Sequence, residues 1–551
     1  MCKGITRVAQ ELGRSWHFHS QPPRRSSGRL KTPGRQATHS SLSERTGCRR
    51  GIAERRQPSD ARRMSGSHSV LIVLSKAGND SQSDPTEGSE APKHGTVTEN
   101  TGGSRSNSIH VSPKQRRIAE LAKRSPEMSF TSLAYLMDLN WLYEAYRQTR
   151  KDGAAGVDGV IAAEYERDLE GNLQALLERA KSGSYRAPPV RRVYIPKGNS
   201  KTEFRPLGIP TLEDKVLQRA VVMLLEPIYE QDFLDCSYGF RPKRSAHQAL
   251  ESLWKQTMDH QGGWILEVDI RKFFDHLDHG HLRTFLQHRV CDGVLKRLIG
   301  KWLKAGVMED GVVSRSNSGS PQGGVVSPIL SNIFLHYVLD LWFEHEVKPR
   351  LGGHAFLIRY ADDFAIGFRR EADARRVMEV LPKRFEKYGL TIHPDKTRLI
   401  CFNPPSNPTK DDQSGSSGET FDLLGFTHYW GKSRKGKWVV KRKTASSRFT
   451  RVIVSIAQWC RANRHLPIAK QQVKLRQKLL GHYAYYGISG NYAALARFKY
   501  EVHRRWHKWL NRRNRQRELL WFRFNTMLRR YPLPNPRLVK RRKASHSEPL
   551  F

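Results

Sequence analysis

Asp362 and Asp363 stand side by side in Arg359-Tyr360-Ala361-Asp362-Asp363-Phe364, between the apolar runs Phe356-Leu357-Ile358 and Phe364-Ala365-Ile366-Gly367-Phe368. Two short strand-like runs around an Ala-Asp-Asp turn predict a β-hairpin with both acids at its tip. Adjacent carboxylates there repel each other and lose hydration. The arrangement makes sense around a divalent cation, because hard Mg²⁺ takes carboxylate oxygens and keeps waters for a phosphate substrate. An ordinary Asx turn is the alternative reading, since Asp is favoured in turns for local hydrogen bonding. A third acid, Asp269, ends the apolar run Trp264-Ile265-Leu266-Glu267-Val268, a predicted strand. Two-metal phosphoryl transfer needs carboxylates from separate elements, so that two ions about 4 Å apart are bridged.

Phosphate-binding candidates lie upstream. Val193-Tyr194-Ile195-Pro196-Lys197 and Phe204-Arg205-Pro206-Leu207-Gly208-Ile209-Pro210 predict a hairpin presenting Lys197 and Arg205 on neighbouring strands. A lysine point charge and an arginine fork together suit a triphosphate, with a solvated basic face as the alternative. The loop Gly319 to Pro328 opens an apolar helix, Ile329 to Leu339, and its glycines permit close backbone approach to a ligand. Helical spacing begins at about Arg116 and returns over Leu133 to Tyr146, Glu164 to Ala180 and Thr211 to Tyr229. Gly153 to Gly159 lacks a GxGxxG pattern and is read as a turn.

The chain of 551 residues carries 95 Lys+Arg against 53 Asp+Glu, a formal net charge of +42. Such an excess repels itself in a compact body unless a polyanion screens it, so nucleic acid is the expected partner, with an anionic membrane surface as the alternative. The run Val70 to Leu74 is far too short to span a bilayer, and no secretory signal stands at the N-terminus. Six cysteines are scattered without a CxxC pair, against a disulfide scaffold or a zinc ribbon. Residues 1–115 are rich in Ser, Arg, Gly and Thr without periodicity, and are expected to form a disordered basic extension. Up to Arg63 this stretch resembles an organellar transit peptide; upstream sequence included through an early start codon is the reading favoured here.

Beyond the basic loop Lys432 to Lys437, helices are predicted over Ser446 to Arg461, Ala469 to Tyr486 and Ala493 to Asn511. In the last, Trp506 and Trp509 alternate with Arg504, Arg505, Lys508, Arg512 and Arg513. Those cations are candidate RNA contacts, and the aromatics are read as core rather than as base-stacking platforms.

The ordered set Phe204 to Pro210, Tyr238-Gly239-Phe240-Arg241-Pro242, Val268-Asp269-Ile270, Ser320-Pro321-Gln322-Gly323-Gly324, Tyr360-Ala361-Asp362-Asp363 and Leu424-Gly425-Phe426 resembles the reverse transcriptases of group II introns. The resemblance implies an α+β right-hand polymerase: fingers and palm over 116–430, then an α-helical thumb or maturase (X) domain over 431–540 and a basic tail at 541–551. It implies catalytic Asp269, Asp362 and Asp363, a two-ion Mg²⁺ site formed by these acids with Ile270, and nucleotide contacts at Lys197, Arg205, Phe274, Gln322 and Lys396. Phe274 falls where a bulky side chain blocks a ribose 2′-OH, while Phe273 is read as a core aromatic. Gly481 to Gly487 and Tyr531 to Pro536 resemble the maturase domain. No cysteine-bearing HNH endonuclease follows Pro536, so mobility is expected to use a pre-existing nick or a replication-fork primer.

The expected protein is therefore a cytoplasmic, bacterial RNA-directed DNA polymerase whose partners are intron RNA, primer DNA and dNTPs, and which also assists splicing. Two rivals remain: an RNA-binding splicing factor with a vestigial polymerase, and a reverse transcriptase of a retron, defence or diversity-generating system. Intact acids count against the first and the maturase-like tail against the second.

Overall fold

The computed structural model describes residues 103–196, 204–309, 312–314, 319, 323–405, 419–513 and 518–539. Residues 1–102, Lys197, Gln322 and the tail 541–551 lie outside them.

The first helix, α1, spans Gly103–Arg124, so helix begins ahead of the periodicity noted from Arg116. After a 3₁₀ turn at Leu133–Leu136 comes α2, Leu139–Gln148, capped by the Asp138 side chain, which accepts from the Trp141 N–H. The predicted helix over Leu133 to Tyr146 is thus broken where Asp138 competes for the backbone. Helix α3 spans Leu169–Ser182 and ends on Gly183 at φ +86°, a left-handed stop that glycine adopts without penalty. Strands β1, Val190–Pro196, and β2, Phe204–Ile209, pair antiparallel as the expected hairpin. Helix α4, Leu212–Asp232, starts at the Thr211 cap and is apolar on nearly every side. It is wrapped by its neighbours: Trp141 Nε1 donates to the Ala220 carbonyl at 2.9 Å and Gln115 Nε2 to that of Met223 at 3.1 Å.

Helix α5 spans Ala246–Asp259, β3 Trp264–Asp269, α6 His279–Gln287, α7 Gly293–Leu303, β4 Val307–Glu309 and β5 Val312–Ser314. Helix α8, Ser327–Leu335, runs on through a π-helical turn at His336–Asp340. Strands β6, Ala355–Tyr360, and β7, Asp363–Phe368, form the hairpin expected around the paired acids; α9, Glu371–Glu386, and β8, Arg398–Cys401, follow.

These strands make an antiparallel sheet in the order β6-β7-β3-β8, and the two-residue period of its strands divides it into two faces. Leu266, Val268, Leu357, Phe364, Ile366 and Phe368 point into the main core with α8 and α9. Ile265, Phe356, Ile358, Tyr360, Ala365 and Ile400 point the other way, against α5 and a second sheet. That second sheet is β9, Phe421–Leu423, β10, Phe426–Lys432, and β11, Trp438–Thr444, so residue 431, where the helical domain is expected to begin, falls inside a strand. A third sheet has the order β2-β1-β4-β5.

Four helices close the described chain: α10, Ser446–Ala462, α11, Ile468–Tyr486, α12, Tyr492–Asn511, and α13, Trp521–Arg530. The first three match the predicted helices to within a few residues. Helix α12 buries Leu495, Phe498, Val502, Trp506 and Leu510 at helical spacing, each contributing roughly 1.5–3 kcal/mol of transfer free energy.

Candidate active site

Asp269 is the last residue of β3 and Asp363 the first of β7, and the two are directly paired across the antiparallel ladder. Side chains opposite one another share a face, with Cβ atoms about 4.5–5.5 Å apart. Both acids occupy the face whose lower half is covered by α5 and the β9–β11 sheet, at the end where that cover stops. Asp362 is in the two-residue turn after Tyr360, half-buried like Asp363. Ala361, the other turn residue, has φ +57°, a left-handed value that is costly for a side chain with a Cβ.

Several groups hold that strained turn. Gly239 packs so closely that a Cβ there would lie 2.3 Å from the Ala361 nitrogen. The Arg359 N–H donates to the Cys236 carbonyl at 2.8 Å, and the Tyr238 N–H to the Arg359 carbonyl at 2.9 Å, so the segment before Gly239 runs as a short parallel partner of β6. The Arg359 guanidinium, fully buried, donates to Asp340 Oδ1 at 2.7 Å, Ser237 Oγ at 2.8 Å, Asn332 Oδ1 at 3.0 Å and the Ala361 carbonyl at 3.1 Å. Burial works against its charge, but the Asp340 carboxylate outweighs that and holds its pKa above the usual arginine value.

Lys396 Nζ lies 2.9 Å from Asp269 Oδ2. The loop carrying it is fixed by the His393 N–H, which donates to the Asp269 carbonyl at 2.8 Å, and by a bridge between Ile270 and Ile392. The Ile270 side chain is buried and carries no donor atom, so a cation would meet this residue through its backbone carbonyl. Two residues back along β3, on the same face, Glu267 pairs with Arg398 at 2.7 Å; burial raises its pKa, with Arg398 opposing and Asp422 and Asp269 adding to the rise. The strip is thus rich in carboxylate and partly neutralised by two cations.

Phe274 stands half-exposed just beyond β3, edge-on to the buried Phe273 at 5.3 Å between ring centres. Its backbone abuts Gly319, where a Cβ would meet the Phe274 carbonyl at 3.1 Å and that of Asp275 at 2.8 Å. The loop that follows is pinned at both ends. His279 Nε2 donates to the Gly319 carbonyl at 2.6 Å, and the Val326 N–H donates to Gln218 Oε1 at 3.2 Å. Between them Gly323, at φ +118°, approaches the Gly208 carbonyl so closely that a Cβ would sit 2.2 Å away. Arg205 is exposed on β2, opposite Ile195 in the hairpin register.

Among the described residues no three His, Cys, Asp or Glu side chains form a ready-made cage for a metal. The donor set nevertheless fits Mg²⁺, an ion bound through one or two carboxylates with phosphate oxygens and waters completing its shell.

Asp269, Ile270, Phe274, Asp362, Asp363 and Lys396 all map to one end of the central sheet or the loops beside it. The basic residues of α12 map elsewhere. Arg504 pairs with Glu501 at 3.0 Å and Arg505 with the same carboxylate at 3.6 Å. Lys508 and Arg512 lie over the Trp509 ring, 5.9 and 5.3 Å from its centre, and Arg513 Nη2 donates to the His465 carbonyl at 3.2 Å. Trp506 is core, its Nε1 donating to Gln471 at 2.9 Å. Sequence reasoning gave no role to Arg359, Asp340 or Asn332. The available signal was a lone cation in the apolar strand β6 and a lone acid closing the π-helical turn after α8.

Residues 195–428 match the family described as reverse transcriptase (RNA-dependent DNA polymerase), a span that runs from the β1–β2 hairpin into β10 and takes in Asp269, Asp362 and Asp363. The relatives narrow the class. The chain is 41% identical over 233 residues to Protein YkfC of Escherichia coli (strain K12), covering 41% of this chain and 61% of that protein. It is 40% identical over 244 residues to the group II intron-encoded protein LtrA of Lactococcus lactis subsp. cremoris, covering 43% of this chain and 40% of LtrA. It is 26% identical over 225 residues to the mitochondrial Nuclear intron maturase 3 of Arabidopsis thaliana, covering 36% of this chain and 31% of that one. The matches thus span from about a third to three-fifths of these curated relatives' lengths. Over that span the chain is similar to a group II intron-encoded protein and to an intron maturase. No helix among the described residues is long and apolar enough to cross a membrane.

Proposed function

We propose that the protein is an RNA-directed DNA polymerase encoded by a group II intron, which copies intron RNA into DNA and binds that RNA to assist splicing. In this reading it is a right-hand polymerase. The sheet β6-β7-β3-β8 is the palm, the β1–β2 hairpin with its surrounding helices the fingers, and α10 to α13 the thumb and maturase domain. It would act in the cytoplasm of a bacterial cell.

The observation that carries the reading is the pairing of Asp269 with Asp363 at the open end of the sheet, with Asp362 in the adjoining turn. Two Mg²⁺ ions held by these acids and the Ile270 carbonyl would stabilise the attacking and leaving oxygens of in-line nucleotidyl transfer. The chain's own residues do the rest. Arg205 and Lys197 grip the triphosphate, and Gln322 contacts the nucleotide. The ring of Phe274 fills the space a 2′-OH would need, and Lys396 offsets the crowded negative charge on Asp269. Primer extension on an RNA template with dNTPs tests the reading. Template-dependent cDNA is the expected product, and a well-folded protein that makes none would overturn it.

A further inference from the structure

The segments Leu424-Gly425-Phe426 and Gly481 to Gly487, far apart in sequence, meet in the fold. Leu424 and Gly425 form the two-residue turn between β9 and β10, with φ of +51° and +80°. Glycine takes such values freely; leucine does so only when its surroundings over-determine the conformation, and strain of this kind clusters at functional sites. The restraint comes from α11. Tyr485 Oη donates to the Leu424 carbonyl at 2.7 Å. Tyr486 Oη lies 3.1 Å from where a Gly425 Cβ would be, and both tyrosine rings pack on Phe426, with centres 5.8 and 5.1 Å away.

Tyr485 is itself fixed from the other side. His247, near the start of α5, donates from Nε2 to its carbonyl at 2.6 Å. Asn491, almost fully buried, ties the end of α11 to the end of β11: its Nδ2 donates to the Tyr486 carbonyl at 2.9 Å, and its Oδ1 accepts from the Thr444 N–H at 2.9 Å. The turn lies close to the chemistry. Leu424 and Tyr485 both pack on the cluster containing Tyr360 and Ile358, and the Tyr485 phenol is within electrostatic reach of Tyr360 and Asp363.

We propose that Tyr485 is a positioning residue: through its hydroxyl, α11 holds the strained Leu424–Gly425 turn at a fixed height beside the catalytic acids, and so couples the seating of the helical C-terminal unit to alignment of the reacting strand end. The motif Gly481 to Gly487 is then a joint between two parts of the enzyme rather than a surface for RNA. This rests on the polymerase reading above.

Two measurements test it. In primer extension, Tyr485→Phe is expected to lower kcat about tenfold, the scale of a sub-ångström misalignment of reacting groups, with the KM for dNTP and the Kd for RNA unchanged. Leu424→Gly removes the strain that the hydroxyl restrains, so adding Tyr485→Phe to Leu424→Gly should cost less than twofold, a clear non-additivity. Hydrogen exchange over Phe421 to Trp430 needs no activity. It should rise in Tyr485→Phe and change little between Leu424→Gly and the double variant. The proposal is overturned if folded Tyr485→Phe keeps its kcat and its protection, if the two substitutions are additive, or if dNTP and RNA affinity fall together with kcat. Wild-type protein without cDNA synthesis would refute the polymerase reading alone, and the exchange measurement would still decide the role of the joint.

Discussion

Arg359 and Asp340 meet in a fully buried, two-pronged ion pair immediately behind the turn that carries Asp362 and Asp363. Asp340 closes the π-helical turn after α8, and Arg359 passes its remaining donors to Ser237, Asn332 and the Ala361 carbonyl. Removing one partner strands the other charge in the core, which costs about 3–5 kcal/mol, whereas replacing both by apolar groups of similar volume is far milder. Asp340→Asn is therefore expected to lower the unfolding free energy by about that amount in urea titration. Arg359→Met/Asp340→Leu should recover much of the stability but not the activity, because the Ala361 carbonyl loses its donor.

Acid should destabilise the fold through its buried histidines. His428, fully buried with Arg442 nearby, has its pKa pushed down to about 3, first by burial and then by that charge. The folded protein therefore keeps it neutral, while the unfolded chain binds a proton below pH 6.5. Its contribution is intact above pH 6.5 and drains away at up to about 1.4 kcal/mol per unit as pH falls towards 3. His336 and His482, lowered to about 4 and about 3 by burial, act in the same direction. Asp214 and Glu226, raised to about 6 and about 7 by burial, act oppositely and lose their contribution as pH rises. A difference experiment isolates one group. His428→Phe can keep the stack on Phe421, now at 4.7 Å and 11°, and should flatten the stability profile between pH 6.5 and 4 by close to one proton.

Phe274 is expected to exclude ribonucleotides by bulk alone. Phe274→Val should relax dNTP-over-rNTP discrimination by on the order of 10², the usual worth of a steric wall against one hydroxyl. Unchanged discrimination in single-nucleotide kinetics would move the gate elsewhere, and the buried Phe273 is not exposed to take over.

Salt dependence separates the basic residues of α12. Arg504 and Arg505 share Glu501, so their charge is already partly balanced, whereas Lys508 and Arg512 flank the Trp509 ring. Charge reversal at Lys508 and Arg512 should reduce the slope of log K against log salt for intron RNA by roughly 0.7–0.9 per lost phosphate contact. Reversal at Arg504 and Arg505 should reduce it less.

Much of this was legible in the sequence because local and global signals agree. The hairpin around Asp362 and Asp363, the strand ending on Asp269 and the helices α10 to α12 each follow from periodicity and turn chemistry at the chain's own scale. The buttress was not legible, because it joins residues far apart in sequence. Nothing near Arg359 tells that its counter-charge is Asp340, that Gly239 must lack a Cβ for the turn to close, or that Tyr485 reaches back to Leu424. Lys396 was expected on the nucleotide; its placement on Asp269 depends on the loop paired with the end of β3, which periodicity cannot reveal.

In the proposed division of labour the paired acids do the chemistry while other surfaces hold the RNA. Asp362→Asn/Asp363→Asn keeps size and most hydrogen-bonding shape but removes the charge that holds Mg²⁺. The most direct measurement scores one preparation twice, for cDNA synthesis on an RNA template and for affinity and splicing of the cognate intron at moderate Mg²⁺. cDNA synthesis should fall to background while RNA binding and splicing are retained. Loss of both in a well-folded variant, or retained synthesis, would contradict that division of labour.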